Sequence, residues 1–193
     1  MKPDKFNLKS YADEGADLRQ IFFEDNNEIL RKIAKEIASC FQLGNKLLIF
    51  GNGGSASQAQ HFAGELVGRF QNDRSPLPAI ALTADSSVLT CIGNDFGFAQ
   101  IFARQIEAFG KPGDIVFAIS TSGQSDNVML AAVTAHRKNI IAIGLTGRRG
   151  LSLANECNHR LIVDSISTPL IQEIHIAAIH ALCYLIEEEM GED

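Results

Sequence analysis

Short apolar segments alternate with helical segments along most of this chain, and this alternation limits the possible folds more than any other feature. The apolar segments predict buried strands at Leu47–Phe50, Ala79–Thr83, Ile115–Ser120, Ile140–Leu145 and Leu161–Val163. Helical patterns cover residues 56–70, 98–109, 125–137 and 168–190. Strands that alternate with helices are typical of an α/β fold, in which a parallel sheet lies between two layers of helices.

Both ends of the chain predict helices with wide apolar surfaces. Residues about 8–42 predict two helices, the second of which is expected to end at Gly44. The last helix is apolar around most of its circumference from Ile171 to Ile186. Helices of this kind are buried either within one subunit or against another. We therefore expect a homo-oligomer whose interface is made by helices.

Length, net charge and cysteine content limit the binding partners and the cellular compartment that this protein can have. A length of 193 residues suits one domain, and the net charge of −6 without a basic run argues against nucleic acid or an anionic membrane surface as the main partner. The start lacks the apolar core of a signal peptide, and no apolar stretch reaches the roughly 18 residues of a membrane span. The cysteines are scattered along the chain, which is typical of reduced thiols in a cytoplasmic protein.

A glycine-rich loop, Gly51-Asn52-Gly53-Gly54-Ser55, follows the first predicted strand and opens a helix. The free N–H groups of a helix N-terminus suit phosphate or carboxylate. The loop loosely matches the dinucleotide fingerprint G-x-G-x-x-G/A, but the acidic residue required about 20 residues later is missing, since Asp85 comes too late. The sequence G-x-x-x-x-G-K-[ST] is also absent. We therefore expect no nucleotide cofactor.

A second loop, Ser120-Thr121-Ser122-Gly123-Gln124-Ser125, follows the third predicted strand. Its hydroxyl groups and free backbone N–H groups are what a phosphate monoester needs where no lysine or metal is near. An ordinary strand-to-helix turn with Ser125 or Asp126 as N-cap would explain only one of the hydroxyls. Both loops lie at the carboxyl edge of the predicted sheet, where ligands of such folds bind. The second loop therefore predicts a phosphate site.

Ionisable side chains recur at helical spacing directly after the glycine-rich loop. His61, Glu65 and Arg69 are spaced at i, i+4 and i+8, so they share a face of the predicted helix. A histidine and a glutamate at this spacing are also compatible with a simple surface contact. Beside a phosphate cradle, however, a carboxylate and an imidazole suit the proton transfers of aldose–ketose isomerisation.

The terminal helix adds a second set of polar side chains, Gln172, Glu173, His175 and His180. Gln172 and His180 can both face one site because they are spaced by about two helical turns. Two histidines with one glutamate are a recurring catalytic zinc set that leaves one coordination position open. For His175, a packing or surface role is favoured over catalysis.

The segments GNGGSASQAQHFAGELVGRF, IGNDFGF, AISTSGQSDNV, LTGRRG and IQEIHIAAIH, in this order, resemble the sedoheptulose 7-phosphate (phosphoheptose) isomerases. These proteins have the sugar isomerase (SIS) fold, and the resemblance runs from about residue 45 to 188. It implies a single SIS domain over residues 1–193, a three-layer αβα sandwich with a five-stranded parallel sheet, and added N-terminal helices at about 1–42 that pack in the oligomer. It further implies a cytoplasmic homotetramer with active sites between subunits.

The reaction implied by the resemblance converts sedoheptulose 7-phosphate to D-glycero-D-manno-heptose 7-phosphate through an enediol. This is the first step towards nucleotide-activated heptose for surface polysaccharide such as lipopolysaccharide. Glu65 resembles the base that moves the proton between C1 and C2, and His180 resembles its acid/base partner. The resemblance also implies one Zn²⁺ per subunit, held by His61, Glu65, Gln172 and His180.

The resemblance implies a set of substrate contacts drawn from both loops and from three helical segments. These contacts are Asn52, Gly53, Gly54, Ser55, Glu65, Arg69, Asn94, Asp95, Ser120, Thr121, Ser122, Ser125 and Gln172. One departure is Leu170, which stands where many members of the family carry arginine before the IQE sequence. Leu170 is expected to change the substrate contacts near the start of the terminal helix, but not the class of reaction.

A non-catalytic SIS module that binds a protein or a sugar-phosphate effector is the alternative. The replication-initiator-associating paralogues have this fold and a similar sequence without being isomerases. That branch lacks the residues that correspond to Glu65 and His180, and both are present here. The sequence therefore favours the enzyme.

Overall fold

The structure, a computed structural model, describes residues 6–191. The strands are β1 (Leu47–Gly51), β2 (Ala79–Ala81), β3 (Ile115–Ser120), β4 (Ile141–Gly147) and β5 (His159–Val163). The helices are α1 (Leu8–Gln42), α2 (Gly54–Val67), α3 (Ser86–Phe96), α4 (Ala103–Phe109), α5 (Asp126–Arg137), α6 (Leu151–Asn155) and α7 (Thr168–Met190), with a short 3-10 helix at Phe98–Gln100.

The strands form one parallel sheet in the order β2-β1-β3-β4-β5. The chain runs from β1 outward to β2 and then returns to the other side of β1 as β3, so the direction of winding reverses between β1 and β3. In a parallel α/β sheet, a crevice for ligands opens at this point, outside the carboxyl ends of the strands. The two predicted ligand loops follow β1 and β3 and therefore border this crevice.

Alternate side chains of the central strands lie in two separate apolar cores, because successive side chains of a strand point to opposite faces of the sheet. On one face, Ile49 and Phe117 join a buried cluster with residues of α1, α2 and α7. On the other face, Phe50 and Val116 join a cluster with residues of α3 to α6. These two cores confirm the predicted αβα sandwich with a five-stranded parallel sheet.

Residues 8–42 form one continuous helix of 35 residues, so the prediction of two helices was wrong. No proline interrupts this segment, and Gly15 costs a helix only about 1 kcal/mol. The Asn26 side chain donates to the backbone carbonyl of Phe22 at 2.8 Å and so is satisfied within the helix. Gly44 follows the last turn with a φ of 72°, which confirms the predicted helix end.

Other boundaries differ from the sequence prediction. Helix α2 ends at Val67, so Arg69 lies beyond the helix on which the sequence placed it. The helices α3 and α6 were not predicted, and the segment 98–109 is divided between the 3-10 helix and α4. At the start of α3, the Asp85 carboxylate accepts the N–H of Val88 at 3.0 Å, which is an N-cap.

Among residues 6–191, only α7 is long and apolar enough to cross a membrane by length and composition. Half of that apolar stretch is buried within the protein, as is typical of a core helix. Cys40, Cys91, Cys157 and Cys183 are all free thiols.

Candidate active site

A pair of side-chain amides ties the two ligand loops together. Asn52, directly after β1, donates to Asn127 at 2.8 Å, and Asn127, in the first turn of α5, donates back to Asn52 at 2.8 Å. Asn127 is buried and also accepts the backbone N–H of Val128 at 2.9 Å. The reciprocal amide pair therefore fixes the two walls of the crevice relative to each other.

Two hydroxyl groups of the serine-rich loop bind its own backbone, and a third makes no capping bond. The hydroxyl of Ser120 accepts the N–H of Gly123 at 3.0 Å, and that of Ser122 accepts the N–H of Gln124 at 3.2 Å. Ser125 occupies the N-cap position of α5 without making a side-chain capping bond. Helix capping therefore does not account for the hydroxyl of Ser125, which leaves it available for an anion.

Helices α2 and α7 bring three of the predicted chemical groups together. The Nε2 atoms of His61 and His180 lie 2.9 Å apart, and Nε2 of His61 lies 3.3 Å from Oε1 of Glu65. The side chain of His61 is 40% exposed and that of Glu65 is 23% exposed. Both side chains are therefore accessible to a small molecule.

The protonation state of His180 follows from its surroundings. Burial lowers the pKa of His180 below its ordinary value, and the nearby His61 and Arg19 act in the same direction. The carboxylate of Glu65 acts in the opposite direction but does not reverse the shift. His180 is thus held as a neutral imidazole near pH 7, ready to accept a proton.

Gln172 lies in the first turns of α7, and its side-chain amide packs over Gly54 at the start of α2. A Cβ atom added at Gly54 would stand only 2.2 Å from Nε2 of Gln172, so only glycine allows this approach. The backbone carbonyl of Gln172 accepts the side-chain amide of Gln58 at 2.8 Å. These contacts set α7 against the amino end of α2, next to the glycine-rich loop.

Among residues 6–191, no hydrogen bond or ion pair joins three of the predicted substrate residues to this cluster. Asn94 and Asp95 are exposed on α3, where the Asn94 amide donates to Asp95 at 2.8 Å. Arg69 is exposed just beyond the end of α2. Gly53 and Ser55 lie where predicted, at the first turn of α2, and Thr121 lies in the serine-rich loop.

Several residues of the site were missed by the sequence analysis. Phe70 stacks on the ring of His180 with centroids 5.8 Å apart, and the ring of Tyr184 meets Phe70 edge-on at 4.7 Å. Asn127 was part of the SGQSDN segment, but its pairing with Asn52 was not foreseen. The i+4 spacing of Tyr184 from His180 was the only local signal that could have connected these residues.

The donor set can be compared with the needs of zinc. Two nitrogens bound to one tetrahedral Zn²⁺ stand about 3.3 Å apart. His61 and His180 are slightly closer at 2.9 Å, and Glu65 is at 3.3 Å from His61. Among residues 6–191, no group of three or more His, Cys, Asp or Glu side chains is arranged to hold a metal ion. Imidazole and carboxylate are suitable zinc ligands, but their arrangement among the described residues does not enclose a metal ion.

His175 is fully buried on α7 beside the end of β4. Neither of its ring nitrogens has a hydrogen-bond partner among the described residues. Burial lowers its pKa to about 4, although the nearby backbone of Thr146 acts in the opposite direction. His175 is therefore a neutral core residue, in agreement with the packing role that the sequence favoured.

This burial makes stability depend on pH. The unfolded chain takes up a proton at His175 near pH 6.5, whereas the folded protein does so only near pH 4. The stability that comes from keeping His175 neutral in the folded protein is fully present above pH 6.5 and is lost as the pH falls towards 4. We expect the free energy of unfolding to decrease there by about 3 kcal/mol. Urea unfolding at pH 7 and at pH 4.5 measures this difference in the free energy of unfolding. If the free energy of unfolding of His175→Leu decreased by the same amount between these pH values, the prediction would be wrong.

The sandwich with its two crevice loops defines a class of protein. The family model for the SIS domain matches residues 10–147. A phosphoheptose isomerase of Nitratidesulfovibrio vulgaris is 48% identical over 183 residues, which cover 95% of this chain and 88% of the relative. That of Aquifex aeolicus is 47% identical over 185 residues, which cover 96% of this chain and 97% of the relative. The chain belongs to the phosphoheptose isomerase family of SIS-domain proteins.

Solved structures of relatives agree with this assignment. A phosphoheptose isomerase from Neisseria gonorrhoeae matches with a TM-score of 0.87 and 40% identity, covering 93% of this chain and 96% of that chain. A phosphoheptose isomerase from Francisella tularensis matches with a TM-score of 0.90 and 38% identity, covering 94% of this chain and 96% of that chain. The protein is therefore an isomerase, and the non-catalytic alternative is not favoured.

Proposed function

We propose that this protein converts sedoheptulose 7-phosphate to D-glycero-D-manno-heptose 7-phosphate, the first step of nucleotide-activated heptose synthesis. The observation that carries the proposal is the contact of Glu65, His61 and His180 beside two loops that suit a phosphorylated sugar. The names of relatives that are 45 to 49% identical over most of the chain support the same substrate class.

The serine-rich loop binds the phosphate in this proposal. Ser120, Thr121, Ser122 and Ser125 offer hydroxyls, and the first turn of α5 adds backbone N–H groups and a partial positive charge. The glycine-rich loop, with Asn52, Gly53, Gly54 and Ser55, takes the sugar end of the substrate. The amide pair between the loops holds the phosphate and the reacting carbons at a constant separation.

Glu65 on α2 and His180 on α7 carry out the proton transfers. Glu65 removes a proton from C1, which gives an enediol, and returns the proton to C2. His180 moves a proton between the oxygens on these carbons, giving one to O2 as O1 loses one. The lowered pKa of His180 keeps it neutral near pH 7, so that it can take the proton from O1.

Zn²⁺ would be held by His61, Glu65 and His180, with Gln172 as a fourth ligand. When bound, it would polarise the carbonyl and hydroxyl oxygens of the substrate as a Lewis acid. Gln172 would have to leave its place over Gly54 to join the other ligands.

The assembly belongs to the same proposal. Asn94, Asp95 and Arg69 are exposed, as suits residues that complete a site across a subunit interface. We therefore propose a cytoplasmic homotetramer with active sites between subunits. In this assembly, α1 serves in packing as well as covering α7 of its own chain.

Incubating the purified protein with sedoheptulose 7-phosphate tests the proposal directly. We expect the aldose phosphate to form, and turnover to fall after treatment with a chelator and to return on addition of Zn²⁺. Unchanged turnover after complete metal removal would overturn the zinc assignment alone. Phosphate-induced stabilisation without any turnover would overturn the isomerase and favour the effector-binding module.

A further inference from the structure

A buried ion pair joins the loop after α2 to the end of α7. Nε of Arg74 lies 3.1 Å from Oε1 of Glu187, and the two side chains are 9% and 3% exposed. Taking both charges out of water is costly, and such pairs often add little net stability compared with apolar residues. The contacts that the pair makes to the rest of the protein are therefore more informative than its own attraction.

Arg74 binds the last turn of α2. Its Nη2 donates to the carbonyl of Glu65 at 2.8 Å, and its Nη1 donates to that of Leu66 at 2.9 Å. Carbonyls at a helix end lack partners within the helix, and a positive charge there is favourable. Arg74 thus holds the backbone of the residue that we propose as the base.

Glu187 binds the chain that leaves α2. Its carboxylate accepts three successive backbone N–H groups, from Phe70 at 3.3 Å and from Gln71 and Asn72 at 3.2 Å each. The ring of Phe70 in turn stacks on the imidazole of His180. Glu187 and His180 also share one face of α7, because positions i and i+7 of a helix coincide. The carboxylate thus fixes the aromatic wall against which His180 rests.

We propose that Arg74 and Glu187 are positioning residues that set the placement of Glu65 relative to His180. Arg74 acts on Glu65 through the end of α2, and Glu187 acts on His180 through Phe70. The inference rests on the proposed function, since it concerns the two groups that move protons there. A displacement of about 1 Å at such groups can cost about 100-fold in rate.

A double variant, Arg74→Met with Glu187→Leu, tests this role. Apolar residues of similar volume avoid leaving one charge buried alone, so the protein is expected to fold. We expect kcat to fall by about tenfold or more while KM changes by less than about threefold, because the loops that bind the substrate are untouched. Thermal unfolding measured on the same samples shows how much stability has changed.

The matched control is another ion pair, Lys46 with Asp114, at 2.7 Å, in which the Asp114 side chain is fully buried and that of Lys46 is 21% exposed. It lies at the amino edge of the sheet, where Asp114 also accepts the N–H groups of Lys46 and Lys111. In Lys46→Met with Asp114→Leu we expect a comparable loss of stability but a kcat close to that of the unchanged protein. A purely structural role for Arg74 and Glu187 would make the two double variants alike.

A single variant, Glu187→Gln, keeps the size of the side chain and one acceptor oxygen. Because it leaves the Arg74 charge without its partner, it is expected to lose stability, so turnover is measured well below its own unfolding temperature. We expect a several-fold lower kcat with little change in KM. A folded variant of either kind with unchanged kcat would overturn the positioning role. Absence of turnover in the unchanged protein would instead overturn the proposed function, so the two failures are distinguishable.

Discussion

Glu65→Gln is expected to lower kcat by about 10²- to 10⁴-fold, the range over which a positioned general base contributes to a reaction. Glutamine has almost the same shape, so it retains the contact with His61 that Glu65 makes at 3.3 Å. Its amide cannot take the proton from C1 of the substrate. The chemical step is lost while the two loops, which do not include this side chain, still bind the phosphorylated sugar.

Turnover of sedoheptulose 7-phosphate and thermal unfolding with and without inorganic phosphate measure this prediction. Glu107→Gln provides the control, because it makes the same change at an exposed position of α4, in the opposite helical layer. We expect both variants to be stabilised equally by phosphate, with turnover lost only in Glu65→Gln. Turnover close to that of the unchanged protein would exclude Glu65 as the base.

The architecture was predictable because the sheet is buried on both faces. The strands β1 and β3 are buried at every position, so they stand out in the sequence as continuous apolar runs. Helix α3 was not predicted, since its sequence SSVLTCIGNDF is rich in residues of low helix propensity, and only its Asp85 N-cap gave a local signal. The continuity of α1 depends on its packing against α7, which no local pattern encodes.

The candidate site was predictable only where its parts repeat at helical spacing. His61 and Glu65 are neighbours on α2, and their spacing of i and i+4 was sufficient to place them together. The pair of Asn52 with Asn127 spans 75 positions, and the bond from Arg74 to Glu187 spans 113. Contacts of this range arise from tertiary packing, so the supporting network around the site became visible only in the fold.

Gly150→Ala is expected to destabilise the protein by about 3 kcal/mol and to abolish phosphate binding. The added Cβ would stand 1.8 Å from Oγ1 of Thr146 and 2.6 Å from its Cβ and Cγ2 atoms. Thr146 is fully buried in β4 and cannot turn away, so the backbone at Gly150 must move. Gly123 of the serine-rich loop lies against Gly150 closely enough that its own added Cβ would stand 2.3 Å from the Gly150 Cα. The displacement is therefore passed to the phosphate loop.

Urea unfolding and phosphate-induced stabilisation measure both parts of this expectation. Gly64→Ala is the control, because a Cβ there meets nothing within 4 Å and the helix interior should gain up to about 1 kcal/mol. Adding Thr146→Gly to Gly150→Ala removes all three atoms that clash, so the two substitutions should couple favourably in a double-mutant cycle. If Gly150→Ala instead retains the stability and the phosphate response of the unchanged protein, then this glycine contact does not shape the phosphate loop.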